Sequence, residues 1–199
     1  MATSSYSASL LLLLSFGLLC DAQTLVIAHR RRRIGMISVD NGGKWGTWRS
    51  DDRCPFGSKA KGFMLKVESN QGVGDDTAVN GITLICTSQG NRYINIMSDY
   101  GKWGCWTLPL WCPYGHLSAF RLQVKSSQGA GDDSAVNNID FKCSHGSMLT
   151  GQGLSYGTHG SWSNDCGKNA ICGLRTKIEK SVGARDDTAL NDVQFYCCE

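Results

Sequence analysis

Helical periodicity is missing from this 199-residue chain: no stretch keeps apolar residues at helical spacing for three turns, and prolines number only 3. Without that spacing no amphipathic helix can offer one face to a core. Gly-x-Ser-x-Gly elbows, phosphate-binding loops and Cys-x-x-Cys pairs are absent as well, and the four histidines (His29, His116, His145, His159) are scattered. Nucleophilic and metal-assisted hydrolysis therefore have no visible machinery, and neither a metal site nor a cofactor is expected. Asn-x-Ser/Thr sequons are lacking, which argues against N-glycosylation.

Long apolar runs are nearly absent too. The single one, Leu10 to Leu19, is too short to span a bilayer, and no later segment approaches that length. It ends in a small residue at Ala22, which fits a secretory signal peptide over residues 1–22 cut before Gln23. The mature chain is accordingly expected to be soluble, secreted and extracellular, with no membrane insertion. A basic segment, residues 23–33, follows with His29 and Arg30 to Arg33. It reads as a solvated arm or as a short propeptide removed at the basic run, with heparin or nucleic-acid binding by so short a run as the lesser alternative. Four Arg against one Asp in residues 1–33 account for the whole formal charge of +3, so residues 34–199 are neutral. No nucleic acid partner is advertised by the folded part.

What the chain has in abundance is repetition. GVGDDTAVNGITLIC (72–86), GAGDDSAVNNIDFKC (129–143) and GARDDTALNDVQFYC (183–197) place Asp75, Asp132 and Asp186 at intervals of 57 and 54 residues. A repeat of that period means triplication with pseudo-threefold symmetry. A second shared piece lies upstream: GGKWGTW (42–48), YGKWGCW (100–106) and a degraded HGSWSND (159–165), aligning Trp45, Trp103 and Trp162. Alternation at period two over Phe63, Leu65, Val67, over Phe120, Leu122, Val124 and over Leu174, Thr176, Ile178 predicts antiparallel strands bounded by Gly and Asn. The fold class is all-β. One domain is expected over residues 34–199, in three repeats of about 34–90, 91–147 and 148–199, because no single small sheet buries enough surface to stand alone.

Ten cysteines in an exported chain form a disulfide framework. Cys54 and Cys86, Cys112 and Cys143, and Cys166 and Cys197 stand 32, 31 and 31 residues apart, one pair per repeat, and Cys172 with Cys198 makes a fourth. Cys20 leaves with the signal peptide. Cys105 is left over; beside Trp103 and Trp106 it is read as a buried, inert thiol in a monomer, with a Cys105-linked dimer as the alternative.

Candidate site residues are few. The aspartate pairs at Asp75, Asp132 and Asp186 invite an acid/base reading, but three equivalent pairs are better explained as turn-forming residues. Calcium binding finds no support, since EF-hand oxygen spacing is absent. Tryptophans 45, 48, 103, 106, 111 and 162 suit core packing, or, if exposed, stacking on sugar rings. Glu68 and Glu179 end equivalent strands where the second repeat has Lys125, a break in symmetry that is one of the few sequence hints of a single chemically special groove. The candidate carbohydrate-binding set is thus Trp45, Trp103, Trp162, Asp75, Asp132, Asp186, Glu68 and Glu179, with no catalytic residue assignable.

NGGKWG, the three GDD[TS]A-type blocks, ICGLRTKIE (171–179) and DDTALNDVQFYCC (186–198), together with the signal peptide, closely resemble the vitelline membrane outer layer protein 1 family from about Ile37 to the carboxyl end. The resemblance implies a β-prism of three Greek-key sheets around a pseudo-threefold axis. It further implies a secreted structural or interaction protein of an extracellular coat or mucosal secretion, with coat proteins or glycans as partners. As an alternative it implies a carbohydrate-binding module or a weak chito-oligosaccharide transferase.

Overall fold

The computed structural model describes residues 33–69, 78–88, 92–125, 136–179 and 190–199. Residues 1–22, read as a signal peptide, and most of the basic segment lie outside them. Within them the alternating runs form β1 (Arg33–Ile37), β2 (Thr47–Trp48), β3 (Asp52–Arg53), β4 (Lys59–Val67), β5 (Val79–Thr87), β6 (Tyr93–Met97) and β7 (Cys105–Trp106). The second half supplies β8 (Leu110–Trp111), β9 (Leu117–Val124), β10 (Val136–Cys143), β11 (Met148–Thr150), β12 (Thr158–His159), β13 (Ala170–Ile178) and β14 (Leu190–Cys198).

Three antiparallel sheets result. In the first, the order is β6-β5-β4-β7 with β8 also on β4; the second runs β11-β10-β9-β12; the third runs β1-β14-β13-β2 with β3 also on β13. Each has a central hairpin, and the chain crosses to the far side of that hairpin for its last strands, the Greek-key arrangement. The third sheet differs in origin: its hairpin comes from the carboxyl end and its outer strands from the amino end. Consequently each repeat of about 34–90, 91–147 or 148–199 supplies the outer strands of one sheet and the hairpin of the next.

Every hairpin has register shifts near both of its ends: at Ala60/Gly62 and Lys66/Val67, at Val136/Asn138 and Lys142/Cys143, and at Ile171/Gly173 and Lys177/Ile178. Bulges bend and twist a strand pair, and here they curl each sheet over a common core. The inward side chains meet there. The Phe63 and Phe141 ring centroids are 4.6 Å apart, Phe120 and Phe195 4.7 Å, and Phe141 and Phe195 5.2 Å. Leu65, Ile82, Leu84, Leu122, Ile139, Leu174 and Val193 pack around these rings, all essentially without solvent contact. Burying each such side chain stabilises the fold by about 1.5–3 kcal/mol.

Four disulfides join Cys54 to Cys86, Cys112 to Cys143, Cys166 to Cys197 and Cys172 to Cys198. The first three form a ring. Cys54 is bonded through its N–H to Cys172 of the third sheet, Cys112 to Lys61 of the first, and Cys166 to Ser118 of the second. Their partners Cys86, Cys143 and Cys197 belong to the hairpins of the first, second and third sheets, so each bridge staples the edge of one sheet to the hairpin of the next. Cys105 departs from expectation: it is free and exposed, not buried. In the two-residue edge strand β7, Trp106 turns onto the Tyr100 ring at 5.6 Å, and alternation then sends Cys105 outward. Its counterparts Thr47 and Thr158 are exposed as well.

Candidate functional site

The pole opposite the disulfide ring is built from three equivalent loops. Trp48 and Thr47 pair with Lys177 and Ile178, Trp106 and Cys105 with Lys66 and Val67, and His159 and Thr158 with Gln123 and Val124. Immediately before each short strand stands a glycine with positive φ: Gly46 (82°), Gly104 (82°) and Gly157 (86°). A Cβ at these positions would strike the backbone of Ile178 and Glu179, of Val67 and Glu68, and of Val124 and Lys125. Only glycine tolerates both the dihedral and the approach. The residue before each glycine is thereby turned outward, and these residues are Trp45, Trp103 and Tyr156, exposed by 51%, 40% and 52%.

This register corrects the alignment of Trp162 with Trp45 and Trp103. Tyr156 occupies the third position, within SYGTH (155–159), and Trp162 lies further along on the outer face of the second sheet. There its ring is covered by the Arg121 guanidinium at 4.8 Å and the Lys142 ammonium at 4.5 Å. Letter-by-letter matching of Gly-x-Trp misled because the third loop substitutes tyrosine for tryptophan and Ser155 for lysine.

Each loop is held from beneath by a threefold-related side chain. Lys66 donates to the carbonyl oxygens of Gly101 (2.8 Å) and Lys102 (2.7 Å), and Lys177 to those of Gly43 (3.1 Å) and Lys44 (2.8 Å). Gln123 does the same to Ser155 (3.0 Å) and Gly157 (3.3 Å). A second tie comes from the hairpin partner strands, whose carbonyl oxygens at Asn80, Asn137 and Asn191 accept the N–H groups of Gly101, Leu154 and Gly43. The exposed rings therefore sit on anchored backbone. These anchors were visible only as the shared lysine in FMLKVE and LRTKIE, replaced by glutamine in FRLQVK.

Around the loops the three sheets differ chemically. In the second, the buried Asp140 carboxylate accepts from Arg121 Nε at 2.9 Å and lies 2.8 Å from Arg121 Nη2 and 3.1 Å from His159 Nε2. In the third, Arg175 donates to Gln194 at 2.7 Å and stacks on Trp48 at 4.9 Å. Lys66 of the first stands 4.9 Å from the Tyr100 ring. Glu179 and Glu68, both half-buried, follow the strand ends beside Gly46 and Gly104, whereas exposed Lys125 takes that place beside Gly157.

Asp192, paired with Lys177 across the hairpin, has its pKa pushed up to about 6 by burial, only partly offset by the Val193 N–H it accepts and by the charge of Lys177. Asp75, Asp132 and Asp186 lie outside the described residues. Among the described residues no group of three His, Cys, Asp or Glu side chains converges on a metal-sized point, and no helix is long and apolar enough to cross a membrane.

A family model for vitelline membrane outer layer protein I matches residues 35–199. The chain is 48% identical over 193 residues to a mouse vitelline membrane outer layer protein 1 homolog, covering 94% of this chain and 95% of the relative. A human homolog is likewise 48% identical over 194 residues, covering 95% and 93%. Among solved structures, an artocarpin–mannopentose complex superposes with a TM-score of 0.53 at 13% identity, covering 85% of this chain and 98% of that one. Calystegia sepium agglutinin gives 0.53 at 16% identity, covering 81% and 94%. At such identities the likeness extends to the β-prism fold alone.

Proposed function

Because the chain belongs to the vitelline membrane outer layer protein I family, we propose that it is a secreted structural component of an extracellular coat or mucosal secretion, locked by disulfides. The observation that carries this reading is the ring of bridges. Three staples connect every sheet edge to the next hairpin, so no sheet can peel away without breaking a covalent bond. Each bridge closes a loop of about 30 residues and constrains the unfolded chain by roughly 3–4 kcal/mol. Such reinforcement suits a matrix protein that must resist proteases. Limited proteolysis tests it: the oxidised protein should survive trypsin for hours where the reduced and alkylated protein is degraded in minutes. Equal survival of both would sink the reading.

A second reading is favoured by the pole opposite the ring, where three exposed rings stand on fixed loops. Aromatic faces held by anchored backbone suit stacking on sugar rings, because little conformational entropy is lost on binding. Artocarpin was solved with a mannose oligosaccharide, and this chain shares its fold. Titration with chitin-derived oligosaccharides should change Trp45 and Trp103 emission saturably if the pole binds glycans. Product analysis of the same mixtures tests for oligosaccharide transfer. No spectral change and no heat at millimolar sugar would remove the glycan reading and leave the structural one standing.

A further inference from the structure

The disulfide pole carries a second constellation, found at only one of the three sheet junctions. The Cys112–Cys143 bridge staples the first sheet to the second and so brings two turns together, Tyr114 to His116 and Ser144 to His145. Their backbones are tied, since Ser144 N–H donates to the His116 carbonyl at 2.8 Å and His116 N–H donates to Ser144 Oγ at 3.2 Å. Ser144 Oγ and His145 Nδ1 share a hydrogen bond at 3.3 Å. Gly115 makes room for this, because a Cβ on it would collide with Ser144 and His145. From the first sheet, Lys61 accepts the Cys112 N–H on its carbonyl at 2.9 Å, which sets Lys61 and Lys59 at the same junction.

Four basic residues thus share this junction. Burial pushes the His116 pKa down, and the like charges of Lys59, Lys61 and His145 add to the effect. Among the described residues no carboxylate lies within ion-pair distance of either lysine or of His116. Asp165, which reaches β9 at Ser118, is already engaged by the Ser118 hydroxyl at 2.9 Å and the Gly167 N–H at 2.7 Å. The other junctions lack this character: where this one has Lys61, the third sheet has Cys172 at the Cys54 bridge and the second has Ser118 at the Cys166 bridge. Uncompensated positive charge in a partly buried seam disfavours the empty state and rewards an anion that displaces few waters. Beside it stands an exposed aromatic tip, Tyr114, a flat face of the kind sugars stack on.

We infer that the seam formed by Lys59, Lys61, His116 and His145, flanked by Tyr114, binds an anionic group of an acidic saccharide, a sulfate ester or a sugar carboxylate. With neutral sugar on the far pole, one molecule would then bridge two different glycans. The inference goes beyond the glycan reading of the Trp45 pole and stands without it. Calorimetric titration of the oxidised protein with chondroitin sulfate, hyaluronan and chitin hexasaccharides, and with poly-glutamate of matched charge, tests it. Saturable binding of either acidic saccharide is expected, weakening at least fivefold between 50 and 200 mM salt. The sulfated and hyaluronan arms say which anion is preferred.

The double variant Lys59→Gln, Lys61→Gln should weaken that binding at least tenfold at unchanged thermal midpoint, and exposed His145→Gln by about threefold. Trp45→Ala, at the opposite pole, should leave it unaltered and affect only neutral sugar. The inference is overturned if poly-glutamate binds as tightly as the acidic saccharides, if neither acidic saccharide binds, or if both seam variants bind like the parent. Loss of neutral-sugar binding alone bears on the Trp45 pole and not on this one.

Discussion

The ammonium of Lys177 donates to the backbone carbonyl of Lys44 at 2.8 Å, joining residues at opposite ends of the chain directly beneath Trp45. Its counterpart Lys66 makes the same pair of bonds to the Trp103 loop with only 8% of its surface exposed. A buried ammonium with satisfied donors holds a loop more firmly than any neutral side chain of that length.

Lys66→Met should therefore cost about 2 kcal/mol in urea unfolding, because it strands the Gly101 and Lys102 carbonyls beneath the loop. It should also broaden Trp103 emission. Lys66→Gln, copying Gln123 of the second sheet, should recover about half of the loss. Equal stability of the Met variant and the parent would show that the loop stands without its anchor.

Asp192 makes stability depend on pH in the direction opposite to most carboxylates. Its folded pKa of about 6 exceeds the ordinary value of 3.8, so the folded chain holds the proton more tightly. Between about pH 4 and 6 its contribution falls as pH rises, and above that it is a constant penalty. Allowing for the solvent on its open side, that penalty is about 1–2 kcal/mol. Asn138 is its counterpart in the second sheet and already accepts the next N–H, of Ile139, at 2.9 Å, as Asp192 accepts Val193 at 2.8 Å. Asp192→Asn should match the parent at pH 4 and exceed it by about that amount at pH 7.5. Parallel stability curves for the two proteins would contradict the assignment.

Cys105 should be the one readily titrated thiol. The native protein without residues 1–22 should release one equivalent of thionitrobenzoate per chain within minutes, and Cys105→Ser should release none while changing stability by less than about 0.5 kcal/mol, since Thr occupies the two related positions. Labelling that waits for denaturant would restore a buried thiol. No labelling, with a doubled mass on a non-reducing gel, would mean that two chains are joined there.

How far such features were readable in advance depended on whether they repeat. Phe63, Phe120 and their neighbours advertised strands because apolar residues recur at period two, and cysteines 31 or 32 residues apart in three successive units left little freedom of pairing. Features that break symmetry were harder. Tyr156 stands where tryptophan was sought, since a loop conserves its positive-φ glycine and its exposed ring without conserving the letters around them. The convergence of Lys59, Lys61, His116 and His145 was hidden because two sheets and a disulfide must form before residues so far apart in sequence meet. Offset between repeat and sheet was equally hidden: a period gives the length of a unit and says nothing about which cut through it coincides with a folded layer.

That offset has a consequence for biosynthesis. The strands of residues 33–53 are made before the other strands described, yet their partners β13 and β14 come last, and among the described residues β1 pairs with β14 alone. At about 5–20 residues per second, the amino-terminal strands wait many seconds with their edges unpaired, while the first and second sheets already have their hairpins. Chains stopped before residue 190 lack β14, Cys197 and Cys198, leaving Cys166 and Cys172 without their disulfide partners. Closure of the third sheet therefore waits for β14, and until Cys197 and Cys198 arrive the two bridges that lock that sheet cannot form.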